Sequence, residues 1–227
     1  MAKASIYKEL FATKSIVINE FTTHSENKPY SLNMFKTFNS PELFDNITLL
    51  IENSIKTKTL EFDKICAVSA SALPYATNVA TSFEKPFCYV QNTGNDTGDK
   101  QNIKNIKIEG GMEIDERILL IETVCNNDFY IENIMARIRK YGGTVVGIII
   151  IVNICEGEYV NLLAEKENII AVINLFDIFT HLENNNMIEM FYSEKIKFYC
   201  EKETKLNIKK LLSDTQQETT YETSASS

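Results

Sequence analysis

The residues whose types and spacing could do chemistry together lie in one stretch, RILLIETVCNNDFYIENI, from Arg117 to Ile134. An acid, Glu122, is followed at once by a hydroxyl, Thr123, and then by Cys125 and the polar run Asn126, Asn127, Asp128. The apolar residues before Glu122 read as a buried strand, and those after Asp128 recur at helical spacing. A strand that turns through a short polar loop into a helix aims free backbone N–H groups at that loop, which makes an anion site. Such turns are usually built from Gly, Ser and Thr, but this one carries a carboxylate where the anion would sit. Asp128 reads as the N-cap of the helix beginning near Phe129, contributing about 0.5–2 kcal/mol. Its side chain then takes the donors a phosphate needs. At an effective dielectric of 20, two unit negative charges ~4 Å apart repel by about 4 kcal/mol, roughly a thousandfold in affinity.

Other candidate groups are sparser. The turn SASA, Ser69 to Ala72, is small enough to bend tightly and offers two hydroxyls, Ser69 and Ser71. The two histidines, His24 and His181, are far apart, so a histidine metal site or triad has little material. Five cysteines occur singly, with no C-x-x-C pair, and read as buried reduced thiols rather than a disulfide framework or zinc site. No metal ligand set is expected. The net charge of −8 disfavours a broad nucleic-acid or anionic-membrane surface, since phosphates are bound mainly by Lys and Arg clusters. The start lacks a signal-peptide core, and the most apolar run, Val145 to Val152, is too short to span a bilayer. The expectation is a soluble, intracellular, cytoplasmic protein.

The elements that must position these groups follow from apolar spacing. Ser5 to Ala12 reads as a short helix with Ile6, Leu10 and Phe11 inward, followed by strand-like pieces near Ile16 to Phe21 and Tyr30 to Met34. Ser40-Pro41-Glu42 starts a helix with Ser as N-cap and Pro in the first turn, and Leu43, Ile47, Leu50, Ile51 and Ile55 form its stripe. Strands and helices then alternate: Phe62 to Val68 and Leu73 to Phe83; Phe87 to Val90; Ile118 to Ile121 and Phe129 to Tyr141; Val145 to Val152; Ile169 to Ile173 and Leu175 to Leu182. That rhythm predicts an α/β fold, a parallel twisted sheet flanked by helices and covered on both faces, so GIIIIV is continuously apolar. Ile131, Ile134, Met135, Ile138 and Tyr141 should face the core. Gln91 to Gly111 reads as a long polar loop, of a length that is usually functional or disordered. Residues 213–227 have little to bury and read as a disordered tail after one domain over 1–212.

The order of these segments resembles the orotate phosphoribosyltransferase family, in the form that eukaryotes fuse to a decarboxylase in bifunctional uridine monophosphate synthase. EFTTHSENKPY, LEFDKICAVSASALPYAT, EKPFCYV, IKIEGG, RILLIETVCNNDFYIENIMARIRKYGGTVVGIIIIVN and VINLFDIFTHLE carry the likeness, from about Ile6 to about Lys202. It implies a type I phosphoribosyltransferase-like, Rossmann-like fold with a small N-terminal hood, and a homodimer.

Set against the family motifs, the scaffold positions agree and the chemical ones depart. Two adjacent acids that contact ribose hydroxyls are reduced to Glu122 and Thr123, and the phosphate-wrapping turn to Asn126, Asn127 and Asp128. The basic residues that grip pyrophosphate become Val90, Gln91 and Asn92, while the mobile-loop Lys falls at Asn95, with Lys100, Lys104 and Lys107 as either substitutes or solvated loop lysines. Toward the pyrimidine, the early Lys becomes His24, the Arg survives as Lys28, and an Asp-Arg pair becomes Asn153-Ile154. Ser69, Ser71 and Lys100 are what remains of a ligand loop.

The expectation is therefore a catalytically inactive member acting as a structural or regulatory protein-binding module, without a cofactor and with an unidentified protein partner. Two alternatives stay open. One is a divergent but active orotate phosphoribosyltransferase making orotidine 5′-phosphate, with Mg; the other is a nucleotide-sensing regulator.

Overall fold

The long helix after the N-terminal region shows how closely local sequence dictates the fold. Ser40 is extended, and its hydroxyl accepts from the Leu43 N–H at 3.2 Å with Pro41 in the first turn. The helix runs Pro41–Thr57 and buries Leu43, Ile47, Ile51 and Ile55. The structure, a computed structural model, describes residues 3–19, 28–92, 106–125, 129–154 and 168–202. The 213–227 tail lies outside them.

Helices are numbered α1 (Lys3–Ala12), α2 (Pro41–Thr57), α3 (Leu73–Ser82), α4 (Phe129–Lys140) and α5 (Leu175–Asn184), with α6 over 190–202. A 3-10 helix spans Met34–Asn39. Strands are β1 (Ile16–Ile18), β2 (Tyr30–Leu32), β3 (Lys64–Ala67), β4 (Phe87–Asn92), β5 (Ile106–Glu109), β6 (Arg117–Cys125), β7 (Thr144–Asn153) and β8 (Ile169–Asn174).

β1 and β2 form a small antiparallel ribbon, the hood. The other six strands make one sheet in the order β5-β4-β3-β6-β7-β8, parallel except where β5 runs against β4. Its two faces carry two cores. On one, Ile65, Ala67, Leu119, Ile121, Ile149 and Ile151 meet apolar residues of α1, α2, α3, α5 and α6. On the other, Cys66, Val68, Ile118, Leu120, Ile148 and Ile150 meet Ile134, Met135 and Ile138 of α4. Burial on both faces is what a continuously apolar strand requires.

β7 contains an irregularity. Ile118 pairs with Val145 but Leu119 pairs with Gly147, leaving Val146 as the extra residue of a bulge. Val145 and Ile148 thereby share one face although three positions apart. A Cβ on Gly147 would come within 3.3 Å of Leu60, Leu119 and the Asn168 carbonyl, so the neighbours crowd a side chain there.

Four expectations need correction. The polar loop does not reach Gly111, because Ile106–Glu109 hydrogen-bonds along β4, with Ile106 buried. Tyr141 is turned outward, past the last helical residue, where Arg137 donates to its hydroxyl at 3.1 Å. In α1 the inward residues are Ile6, Tyr7 and Leu10, and Phe11 is only partly buried. The helix over 190–202 was not anticipated, because apolar residues occupy both of its sides.

Candidate functional site

Strand order reverses between β3 and β6: the chain leaves β3 for β4 and β5 on one side and returns to β6 on the other. In open α/β sheets the crevice outside the carboxyl ends of the strands at such a reversal is where ligands bind. Two polar segments meet there. The Ser69–Ala72 turn is closed by the Ala72 N–H donating to the Ser69 carbonyl at 3.0 Å. The end of β6 contributes Glu122 and Thr123.

These side chains form one network. Ser69 Oγ donates to Glu122 Oε1 at 2.6 Å, Thr123 Oγ1 donates to the same oxygen at 3.0 Å, and so does the Thr123 N–H. Ser71 Oγ lies 2.8 Å from Thr123 Oγ1 and 3.1 Å from Ser69 Oγ. The Thr123 proton points to Glu122, so Ser71 supplies the proton between Ser71 and Thr123. All donors thus run toward the carboxyl of Glu122, which is only 6% exposed. Burial nevertheless dominates and raises its pKa above the ordinary carboxylate value, against the Ser69 and Thr123 hydrogen bonds that favour the charge.

Beside the network, Asn153 ends β7, buried, with its amide 3.4 Å from the Asn174 side chain at the end of β8. Ile154 packs against the larger core, which leaves no donor for a carboxylate at that position. Gln91, next to the end of β4, is exposed and in register with Lys107 of β5; Asn92, the last residue of the strand, is in register with Ile106. The Lys107 ammonium is 2.5 Å from Glu109. In the hood, the Lys28 ammonium stacks 4.7 Å from the centre of the Tyr30 ring.

Of the residues singled out in the sequence, the fold brings Ser69, Ser71, Glu122 and Thr123 into contact and sets Asn153 and Ile154 on the adjoining strand. Gln91 and Asn92 stand on β4, beyond β3, and Lys28 in the hood. His24, Asn95, Lys100, Lys104, Asn126 and Asp128 lie outside the described residues. The hydrogen bond from Ser69 to Glu122 spans 53 positions, and no sequence spacing announces it. Asn174 was missed; its one signal was a polar residue between a strand and a helix. Among the described residues, no cluster of three or more His, Cys, Asp or Glu could hold a metal, and no helix is long and apolar enough to cross a membrane.

Comparison with known proteins agrees with this layout. The chain is 26% identical over 197 residues to the orotate phosphoribosyltransferase of Sulfurisphaera tokodaii, covering 86% of this chain and 96% of that one. It is 22% identical over 198 residues to the uridine 5′-monophosphate synthase of Bos taurus, of which it spans 40%. The crystal structure of orotate phosphoribosyltransferase from Aeropyrum pernix superposes with a TM-score of 0.63 at 19% identity, covering 81% of this chain and 99% of that one. The UMP synthase of Leishmania donovani does so with a TM-score of 0.69 at 18% identity, covering 89% of this chain and 43% of that one. These two superpositions speak for the fold. The phosphoribosyl transferase domain matches residues 36–169, more than half of the chain, from the 3-10 helix to the start of β8. With that match laid over the sheet order and the crevice at its reversal, the chain belongs to the phosphoribosyltransferase family.

Proposed function

We propose that this chain keeps the orotate phosphoribosyltransferase frame as a binding module and no longer performs the transfer. The observation that carries the reading is the network at the sheet's switch point. Contact with ribose hydroxyls needs acids that are ionised and open. Here the only acid of the pair, Glu122, is buried, its charged form disfavoured, and its Oε1 spent on Ser69 and Thr123. Thr123 replaces the second acid and is held by Ser71. Fold alone does not carry an activity; the groups at the site do. Stabilising negative charge on a leaving pyrophosphate takes preorganised cations, and the loss of one such group typically costs ~3 kcal/mol of transition-state stabilisation.

A second reading is an active orotate phosphoribosyltransferase. It is favoured by the names of the relatives, several of which are orotate phosphoribosyltransferases matched over most of their own length. One titration separates the two. Purified protein is heated with Mg-phosphoribosyl pyrophosphate and, separately, with orotidine 5′-phosphate, and then assayed for pyrophosphate release. A ligand that binds the folded state stabilises it by mass action, about 2.7 kcal/mol at a hundred times Kd. Our reading expects neither a thermal shift nor release. Turnover overturns it in favour of the enzyme, and a shift without turnover makes the chain a sensor. Asp128→Gly with Asn95→Lys and Ile154→Arg restores the family's groups at three places. Pyrophosphate release gained by that variant supports decay of an ancestral site.

A further inference from the structure

Two cysteines face each other across the β3–β4 pair. Cys66 and Cys88 are register partners in parallel strands, so their side chains leave the sheet on the same side. Both lie in the core shared with α4, reduced and fully buried. Neighbouring strands run ~4.8 Å apart, which puts the paired Cα atoms within the roughly 4.4–6.8 Å that a disulfide spans. The strands hold the two Cβ atoms side by side rather than turned toward each other, so a bond between the sulfurs would draw β3 and β4 together and be strained. Strained disulfides are the readily reduced ones.

The pair is not symmetrical. A hydrogen bond from the Cys66 thiol and the positive charge of the Lys64 ammonium hold the Cys88 pKa below the ordinary thiol value, against burial and the Glu116 charge. The same hydrogen bond, with burial, pushes Cys66 up. In the neutral pair the Cys66 thiol donates to the Ala67 carbonyl at 3.8 Å; once Cys88 is charged, its sulfur is the stronger acceptor for that proton. Cys88 is also the cysteine nearer the edge of the sheet. Beyond it lies β5, an edge strand of four residues that ends at Gly110. A Cβ on Gly110 would stand 3.1 Å from the Cys88 Cβ, so the residue against Cys88 on that side carries no side chain. A short edge strand opens at lower free energy than the core, which gives a small solute a route to the sulfur.

We propose that Cys66 and Cys88 form a reversible dithiol–disulfide site oxidised by small hydroperoxides, with Cys88 as the attacking sulfur and Cys66 as the resolving one. The Cys88 thiolate attacks hydrogen peroxide: an S–O bond forms, the O–O bond breaks, and the released hydroxide takes up the proton that Cys88 had lost. The Cys66 sulfur then attacks the Cys88 sulfenic acid. An S–S bond forms, the S–O bond breaks, and hydroxide leaves as water with the Cys66 proton. Two thiols and one peroxide thus give one disulfide and two waters. Cys66 stands three positions before Ser69 and Cys88 three before Gln91, so the bond tightens the spacing of strands that carry one rim of the crevice. This holds whether or not the chain turns over substrate.

The test uses the full-length chain. Trypsin does not cut between Lys85 and Pro86, so both cysteines emerge in one peptide, residues 65–100, apart from the other three. After hydrogen peroxide under native conditions, then denaturation with excess iodoacetamide, that peptide should have lost two hydrogens and gained no alkyl group, and dithiothreitol should reverse this. Alkylation of both sulfurs, or sulfinic acid without the disulfide, overturns the proposal. With dimedone present, Cys66→Ala should be labelled at Cys88 and Cys88→Ala should not be labelled at Cys66; labelling at Cys66 contradicts the assigned order of attack. Ile106→Ala, which loosens β5, should speed disulfide formation by about tenfold, and Ile196→Ala, in the opposite core, should not. Equal acceleration by both would mean that only the unfolded chain is oxidised and that the native pair is no site.

Discussion

The two ends of the main sheet differ in what they do with charge. At the amino end, Arg117 forms a fork on Asp63, its Nε and Nη2 each 2.9 Å from a carboxylate oxygen, while Nη1 reaches Glu61 at 2.9 Å. Alongside it the Lys64 ammonium lies 2.8 Å from Glu116 and 3.2 Å from the Gly111 carbonyl, and both partners are nearly buried. At the switch point at the carboxyl end, the described groups of β3, β6 and the turn between them are hydroxyls and one buried acid, Glu122, while the Lys107 ammonium of β5, level with Gln91, is paired with Glu109. Apart from Glu122, the formal charges described on β3 and β6 tie strands together at the end away from the crevice. What this teaches is that one pair of strands can carry electrostatic joints at one end and a hydroxyl network at the other, because the two sets of groups share strands and not partners.

The comparison breaks most easily at the buried amino-end pair. Lys64→Met leaves Glu116 without its cation in a site it cannot leave, and removing one partner of a buried pair costs about 3–5 kcal/mol. Urea denaturation should show a fall toward the low end of that range, since the Glu113 N–H still bonds Glu116 at 2.9 Å. A loss below ~1 kcal/mol would mean the pair is solvated and the amino end is no joint.

At the crevice the sign should reverse. The pKa of Glu122 is raised in the folded protein, so its stabilising share is complete below the unfolded carboxylate pKa and disappears as pH rises through the higher folded value. Glu122→Gln keeps the acceptor for Ser69 and Thr123 and removes the charge. The substitution should raise Tm at pH 8 by about 2 °C, a gap that closes as the pH falls toward the ordinary carboxylate range. A lower Tm at pH 8 would show that the ionised carboxylate is the stable form, and that the crevice is set for charge after all.

Smaller effects sharpen the contrast. Ser71→Ala removes the outermost donor of the network and should cost about 0.5–1 kcal/mol, with no pH dependence of its own. Asp63→Asn acts only on the acid side. Arg117 holds the Asp63 carboxyl well below its usual pKa, so its contribution is present above the unfolded value and is lost as pH falls through the folded one. The variant's acid limb should therefore be flatter than that of the unsubstituted protein, and the partial exposure of both side chains keeps the effect small. Identical acid limbs would show that the fork contributes nothing measurable.

Legibility followed the reach of each signal along the chain. The α2 start was readable because Ser40, Pro41 and Leu43 are neighbours, and the α4 face because Ile134, Met135 and Ile138 repeat within two turns. β5 was not: Ile106 and Ile108 alternate correctly, but only the β4 edge, fourteen or more positions away, turns them into a strand. For α6 the periodicity was ambiguous, with Phe191 and Phe198 on one side and Ile196 and Cys200 on the other, so no single stripe stood out. Family likeness placed Glu122 and Ser69 at one crevice. Their hydrogen bond, and the burial that suppresses the acid's charge, are products of packing.

The extra residue at Val146 marks the one place on β7 where chain length and pairing are uncoupled. Deleting it would join Val145 directly to Gly147, so the ladder would run without a break from Ile118–Val145 to Leu119–Gly147 and every later side chain would keep its side. Removing a residue beyond Gly147, where no bulge can absorb the loss, would instead turn the tip over, exchanging Ile149 and Ile151 with Ile148 and Ile150 or taking Asn153 from its place beside Asn174. A shortened natural variant can therefore lose Val146 and keep the same crevice wall, but not a residue from the stretch that follows.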